Sequence, residues 1–176
     1  MTAAAFTKNL RSERLVLRPL RPADASRITD LVNDPRVYRM LSGVPAHQNV
    51  AQTLAWMSPL DARRAADTAH VFGIESGGEL VGVVSGERDR PPLPFSIGYW
   101  LAPDCWGRGY MTEAAATLID WLKQRSERAF IAGYFADNPA SGRVLSKLGF
   151  LKAGRMPKFC LGRGETVDHF DMARIG

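Results

Sequence analysis

The segment Asp104-Cys105-Trp106-Gly107-Arg108-Gly109-Tyr110-Met111-Thr112-Glu113-Ala114 follows an apolar, strand-like run and leads into a helical pattern. A strand that turns through glycines into a helix start has the geometry of a phosphate cradle. The first backbone N–H groups of the helix lack intrahelical partners, the macrodipole adds partial positive charge, and glycines let a pyrophosphate approach without a Cβ in the way. The segment is too short for a Walker loop and lacks the third glycine of a dinucleotide fingerprint. By itself it serves equally well as a plain turn between strand and helix. Farther along, Asn138-Pro139 makes a good helix N-cap, and Ser141 either satisfies first-turn backbone or faces a ligand. Arg143 and Lys147 read as solvated helix charges ahead of phosphate ligands, and the helix dipole alone accounts for Glu113. Cys105 lies beside the cradle without an identifiable histidine partner and reads as inert. His47, His70 and His169 are far apart in sequence and read as ordinary lone histidines. Trp100 and Trp106 read as packing residues, and Tyr99 must face the opposite side of its strand from Trp100.

The elements that hold these residues follow from periodicity and punctuation. Leu15–Leu20 reads as a first strand, followed by a helix from about Pro22 that Pro35 ends; a second helical region covers roughly Asn49 to Ala66. Val71–Glu75 and Leu80–Val84 form a hairpin through Gly77-Gly78, and Phe95–Leu101 is the strand that feeds the cradle. A helix from about Arg108 to Gln124 places Met111, Ala115, Leu118, Ile119 and Leu122 on one face. Then come a strand at Ala129–Tyr134, a short helix opened by Asn138-Pro139 and stopped by Gly149, and a closing hairpin that turns at Gly162-Arg163-Gly164. Strands cluster in the first half and alternate with helices in the second, which predicts a mixed sheet with helices on both faces. The alanine-rich start, residues 1–10, is expected to fray.

With 176 residues and 45% hydrophobic content, the chain fits one domain spanning residues 1–176. Its two cysteines make no disulfide framework and sit in no metal-ligand spacing, so no metal is expected. No apolar run is long enough to span a bilayer and no signal-peptide core is present, which places the chain in the cytoplasm, away from membranes. The net charge of +5 is scattered rather than gathered into a block, which argues against nucleic acid while favouring a phosphate-bearing cofactor.

Three blocks in order, Ile97-Gly98-Tyr99-Trp100-Leu101, Trp106 to Ala114, and Asn138-Pro139-Ala140-Ser141-Gly142-Arg143-Val144-Leu145-Ser146-Lys147-Leu148-Gly149-Phe150, closely resemble the GCN5-related N-acetyltransferase (GNAT) superfamily. Within it the chain is similar to the ribosomal-protein-alanine acetyltransferase branch. Arg14-Leu15-Val16-Leu17-Arg18-Pro19 and the closing hairpin also fit, so the resemblance covers nearly the whole chain. It implies a mixed α/β fold: a mostly antiparallel sheet of about seven strands, helices on both faces, and a splayed strand pair forming an acetyl-CoA cleft. It implies that Trp106, Gly107, Arg108, Gly109, Tyr110, Met111 and Thr112 hold the coenzyme pyrophosphate, largely through backbone amides. It further implies that the main chain of Leu101 holds the pantetheine arm or thioester carbonyl, that Asn138 bonds the pantetheine arm, and that Ser141 lies near the coenzyme sulfur as a catalytic group. Two positions depart from the family pattern: Asp104 stands where Gln or Arg is usual, and Ser96 stands where many relatives carry an acid.

The implied reaction is direct attack of a neutral amine on the thioester in a ternary complex. Leu101 supplies an oxyanion-stabilising N–H and Ser141 a proton for the leaving thiolate. An α-amine, of pKa about 8, is easier to present neutral than lysine at about 10.4, which favours a protein N-terminus as acceptor. A base is not evident; Glu75 or Glu87 could act through water. Small-molecule amines such as antibiotics or polyamines are the alternative acceptors, and a non-catalytic coenzyme- or nucleotide-binding module is the alternative class. The chain is expected to act as a monomer or homodimer.

Overall fold

Gly77 and Gly78 take φ of 60° and 85°, the backbone that a two-residue hairpin requires. They fold β3 (Ala69–Ser76) onto β4 (Glu79–Glu87), after β1 (Leu10–Arg11) and β2 (Val16–Pro19). The structure, a computed structural model, describes residues 9–176. With β5 (Phe95–Leu101), β6 (Ala129–Phe135), β7 (Leu151–Cys160) and β8 (Glu165–Ile175), these strands form one sheet in the order β1-β2-β3-β4-β5-β6-β8-β7. Every neighbouring pair is antiparallel except β5 and β6. The expected mixed, mostly antiparallel sheet is therefore present, with the two-residue β1 added to seven longer strands.

Helices cover both faces. On one, α5 (Tyr110–Gln124) and α6 (Pro139–Lys147) bury Met111, Ala115, Leu118, Leu122 and Leu145 against Leu17, Phe72, Ile74, Val84 and Ile97. On the other, Ile28 and Val32 of α1 (Ala25–Val32) pack on Leu80, and Leu60 of α4 (Leu60–Ala65) packs on Val71 and Val83. Covered on both sides, β3 and β4 read as nearly unbroken apolar runs.

Several boundaries differ from expectation for identifiable reasons. The helical region from Asn49 to Ala66 is two helices, α3 (Val50–Met57) and α4, parted at Ser58-Pro59, where proline lacks the N–H to continue the ladder. Pro35 does not end α1, which stops at Val32; it opens α2 (Pro35–Tyr38) at the first helical position, behind an Asp34 cap. The first helix is preceded by a single 3-10 turn over Pro22–Asp24. Of the stretch expected to fray, residues 1–8 lie outside the described residues, and Leu10 pairs with Leu17.

One buried cation fixes the N-terminal third. Arg18 is 6% exposed and bonds both carboxylate oxygens of Asp24, at 2.7 and 2.8 Å, and Glu75 at 2.6 Å. Burial pushes the Asp24 carboxyl up, but hydrogen bonds from Arg18 and the Arg21 backbone outweigh it and hold it below the usual range. A depressed carboxylate stabilises the fold fully above its unfolded value and loses that contribution as pH falls through the folded one. Asp24→Asn should therefore lower unfolding stability by about 2 kcal/mol at pH 7, the scale of hydrogen bonds to a charged group. The deficit should shrink below about pH 4, where the unfolded wild-type chain begins to take up the proton and the folded Asp24 follows at lower pH. Denaturant titrations of both proteins at pH 7 and pH 3 check this; an equal deficit at both would refute the ion-pair account.

Candidate active site

The parallel ladder between β5 and β6 contains only Phe95↔Phe130 and Ser96↔Ile131. Beyond it the strands part. Ala102 N–H donates to Val81 O at 2.8 Å, and the antiparallel register then turns Trp100, Gly98 and Ser96 to bond β4. By alternation, the N–H and C=O groups of Tyr99 and Leu101 point the other way, into the gap. The Leu101 carbonyl is taken there by the Trp106 indole N–H at 2.7 Å, which leaves the Leu101 N–H to face the gap.

A cleft of about 680 Å³ runs through this split. On the face carrying α5 and α6, it is lined by Trp106, Gly107, Gly109, Tyr110, Met111 and Thr112, together with Asn138 and Ser141. Gly107 and Gly109 hold φ of 73° and 79°, a backbone that side chains rarely adopt. Gly109 is the cap of α5 and offers no side chain to the helix start, so the N–H groups of its first turn point into the cleft unpartnered. The first intrahelical bond is Glu113 N–H to Gly109 O. An uncapped helix start behind two left-handed glycines suits a pyrophosphate.

Glu113 does more than answer the dipole. It accepts from Ser12 Oγ at 2.7 Å, from the Arg14 backbone at 2.9 Å and from Arg14 Nε at 2.8 Å, while Arg14 Nη1 donates to Arg108 O at 3.0 Å. Burial pushes its carboxyl up, yet these bonds prevail and hold it below the usual range. The segment before β2 is thereby clamped onto the cradle.

At the other lip, the Asn138 side-chain oxygen caps α6 by accepting Ser141 N–H at 3.3 Å. The Ser141 hydroxyl lies 3.0 Å from the Tyr99 hydroxyl, which also donates to Ser141 O at 3.2 Å. Burial drives the Tyr99 phenol up to about 12, against a smaller opposing effect of the Ser141 bond, so it stays protonated at neutral pH.

The opposite face supplies a second wall. Arg36, Val37, Met40, Leu41 and Ser42, from α2 and the loop after it, line the cleft, as do Lys158 and His169. The hairpin tip is tied to that loop: Leu161 N–H donates to Ser42 O at 3.0 Å, and Arg163 bonds both Arg39 O and Asp137.

The family model described as an acetyltransferase (GNAT) domain matches residues 14–151. The chain belongs to the GNAT acetyltransferase family. A putative ribosomal N-acetyltransferase of Bacillus subtilis is 31% identical over 152 residues, covering 82% of this chain and 81% of that protein. The ribosomal-protein-serine acetyltransferase of Escherichia coli is 35% identical over 102 residues, 57% of this chain and 54% of that protein. Among solved structures, a ribosomal L7/L12 alpha-N-protein acetyltransferase in complex with coenzyme A superposes with a TM-score of 0.86 at 23% identity, over 96% of this chain and 98% of that one.

In this acetyltransferase, the residues to which the resemblance gave coenzyme-binding or catalytic roles converge on the cleft with one exception. Arg108 is not among its lining residues; its carbonyl serves Arg14 instead. Asp104 lines a separate cavity of about 280 Å³ with Arg36 and Asp34, so its carboxylate does not share the cleft with the cradle glycines. Glu75 is held by Arg18 and Glu87 by Arg63 at 2.8 Å, and neither lines the cleft. Among the described residues, no helix is long and apolar enough to cross a membrane, and no cluster of three or more His, Cys, Asp or Glu could hold a metal. Sequence reasoning missed the Tyr99 to Ser141 bond, the α2 wall and His169. Only His169 left a signal, since His169 and Asp171 two apart on a strand must share a face.

Tyr99→Phe removes a hydroxyl and little volume. The acetyltransferase should keep its melting temperature within about 3 °C, while turnover in a thiol-release assay falls about tenfold, the worth of one hydrogen bond of about 1.4 kcal/mol. Unchanged turnover would show that the Tyr99 hydroxyl does nothing for Ser141 beyond packing.

Proposed function

We propose that a single domain over residues 1–176 transfers acetyl from acetyl-CoA to the N-terminal α-amine of a protein, in the cytoplasm and by direct attack in a ternary complex. The observation that carries this reading is the split between β5 and β6, with an uncapped helix start on one side and a separately built wall on the other. The first-turn amides of α5, from Gly109 to Thr112, together with Gly107 and Trp106, receive the pyrophosphate, with Arg108 contributing charge at the rim. The Asn138 amide N–H group bonds the pantetheine arm while its oxygen caps α6. Leu101 N–H, unpaired in the split, stabilises the oxyanion that develops on the thioester carbonyl, a contribution of about 3 kcal/mol where such donors have been removed elsewhere. Trp106 steadies the neighbouring peptide by holding the Leu101 carbonyl. Ser141 delivers a proton to the departing sulfur and is resupplied by the Tyr99 hydroxyl or solvent.

The acceptor reading is supported by the names of relatives, which modify ribosomal proteins at serine or at an α-amine. An α-amine also loses its proton more readily than lysine.

Acetyl-CoA at 100 times its dissociation constant should stabilise the fold by about 2.7 kcal/mol, raising the melting temperature by roughly 5 to 10 °C. Gly109→Val, strained at φ 79° and obstructing the cradle, should abolish that shift. Ser141→Ala should keep the shift and lose turnover about a hundredfold on peptides beginning with Ser or Ala. A shift with ATP but none with acetyl-CoA would overturn the donor. A raised coenzyme Michaelis constant at unchanged turnover would move Ser141 from proton donor to binding. Acetylation of small amines with none of peptides would overturn the acceptor.

A further inference from the structure

The cleft contains a proton acceptor that neither the family pattern nor the carboxylates provide. We propose that His169 is the general base of this acetyltransferase, its Nε2 removing the proton from the attacking amine while Asp171 orients the ring through Nδ1. The proposal rests on the reading above that acceptor and coenzyme meet in the β5–β6 split.

The imidazole stands on the side away from the coenzyme half. Tyr134 packs with the core under α5 and α6, so its neighbour Phe135 faces the other way; His169 pairs with Phe135 across the ladder and packs edge-on to it at 5.6 Å. It thus shares the face of Ser96 and Trp100, where α2 and the hairpin build the second wall. Although β6 lies between β8 and the split, it carries Gly133 at this level, and a Cβ there would come within 2.7 Å of His169 Nε2. The missing side chain lets the ring lean across β6 toward the open edge of the gap. His169 is 7% exposed and lines the cleft.

The proton inventory is consistent with a base. His169 Nδ1 lies 3.1 Å from Asp171 Oδ1, a bond in which Nδ1–H donates and Nε2 is left with its lone pair. Burial is the main force holding the imidazole below its ordinary value, and Lys158 of β7 adds to it, while Asp171 opposes both. Other charges around the ring are paired elsewhere: Arg163, beyond Phe135, with Asp137, and Arg36, across the cleft, with Asp34. The carboxylates of Glu75 and Glu87 are engaged outside the cleft. In the reaction, the amine lone pair forms the C–N bond at the thioester carbon, and one amine proton passes to Nε2 and then to water. The C–S pair leaves with sulfur, which takes its proton from Ser141.

The test is turnover against pH at saturating acceptor, by thiol release from acetyl-CoA, with an Ala-starting peptide and, in parallel, benzylamine. Wild type should show an acid limb with a midpoint below 6.5. His169→Gln should lose turnover about a hundredfold and abolish that limb, with coenzyme affinity within threefold. Lys158→Gln, by removing a positive neighbour, should move the limb to higher pH; Asp171→Asn should move it lower and reduce turnover about tenfold. Turnover of His169→Gln within threefold of wild type, or a limb that ignores Lys158→Gln, overturns the proposal. Loss of fold in His169→Gln leaves the Lys158→Gln limb as the deciding measurement. Peptide failure with benzylamine success overturns the N-terminal acceptor alone. Where neither amine reacts, the imidazole nitrogen shifts of labelled enzyme decide: a proton still on Nε2 at pH 7 in the acetyl-CoA complex overturns the base.

Discussion

Parallel pairing of β5 with β6 stops at Ser96↔Ile131, and the peptide groups beyond it lose the partners that a continuous sheet would supply. A buried N–H without a partner costs about 1 to 3 kcal/mol, so a split of this kind persists only where the surroundings hold it open and something else meets its polar groups. Here the Trp106 indole takes the Leu101 carbonyl, and the Tyr99 hydroxyl on one lip bonds Ser141 on the helix that follows the other. The remaining donors are the ones left for a ligand. Placement of α5 and α6 on one face, and of α2 with the hairpin tip on the other, matters to function because both sides open onto this one interruption.

Sequence reasoning recovered most of the scaffold because its signals are local. Gly77-Gly78, Gly149, Asn138-Pro139 and the strand Phe95–Leu101 each specify their own geometry within a few residues, and the structure places all of them as expected. The boundaries that shifted belong to prolines, Pro35 and Pro59, which start a helix as readily as they stop one. The half proposed for the coenzyme could be outlined for the same reason: cradle, cap and first-turn serine lie in two contiguous segments.

The half proposed for the acceptor could not be, because it depends on contacts distant in sequence. Nothing in Val37-Tyr38-Arg39-Met40 announces that the hairpin turn at Arg163 will reach back across 124 positions to its carbonyls. Arg163 is the keystone of that wall; it stacks over Phe135, bonds Asp137 just ahead of the α6 cap, and ties in Arg39. His169 looked like a lone histidine because only Asp171 is near it in sequence; the glycine that makes room for its ring and the lysine that acts on it lie on two other strands. Likewise, the departure at Asp104 looked like a defect of the coenzyme site, and Ser96 left the strand without the acid that many relatives carry there. The structure gives Asp104 to a neighbouring cavity and turns Ser96 to the opposite face.

That division of the cleft by the sheet itself has an evolutionary consequence. The elements proposed to grip the donor and those proposed to frame the acceptor share almost no side chains, meeting chiefly through the main chain of β5 and the short connection at Asp137 and Asn138. Substitutions among residues 36–42 or at the hairpin tip can accumulate without touching the glycines, the cap or the clamp at Glu113. A gene duplicate could thus inherit its donor chemistry intact while its acceptor preference drifts, one chain diversifying into many specificities without first losing activity.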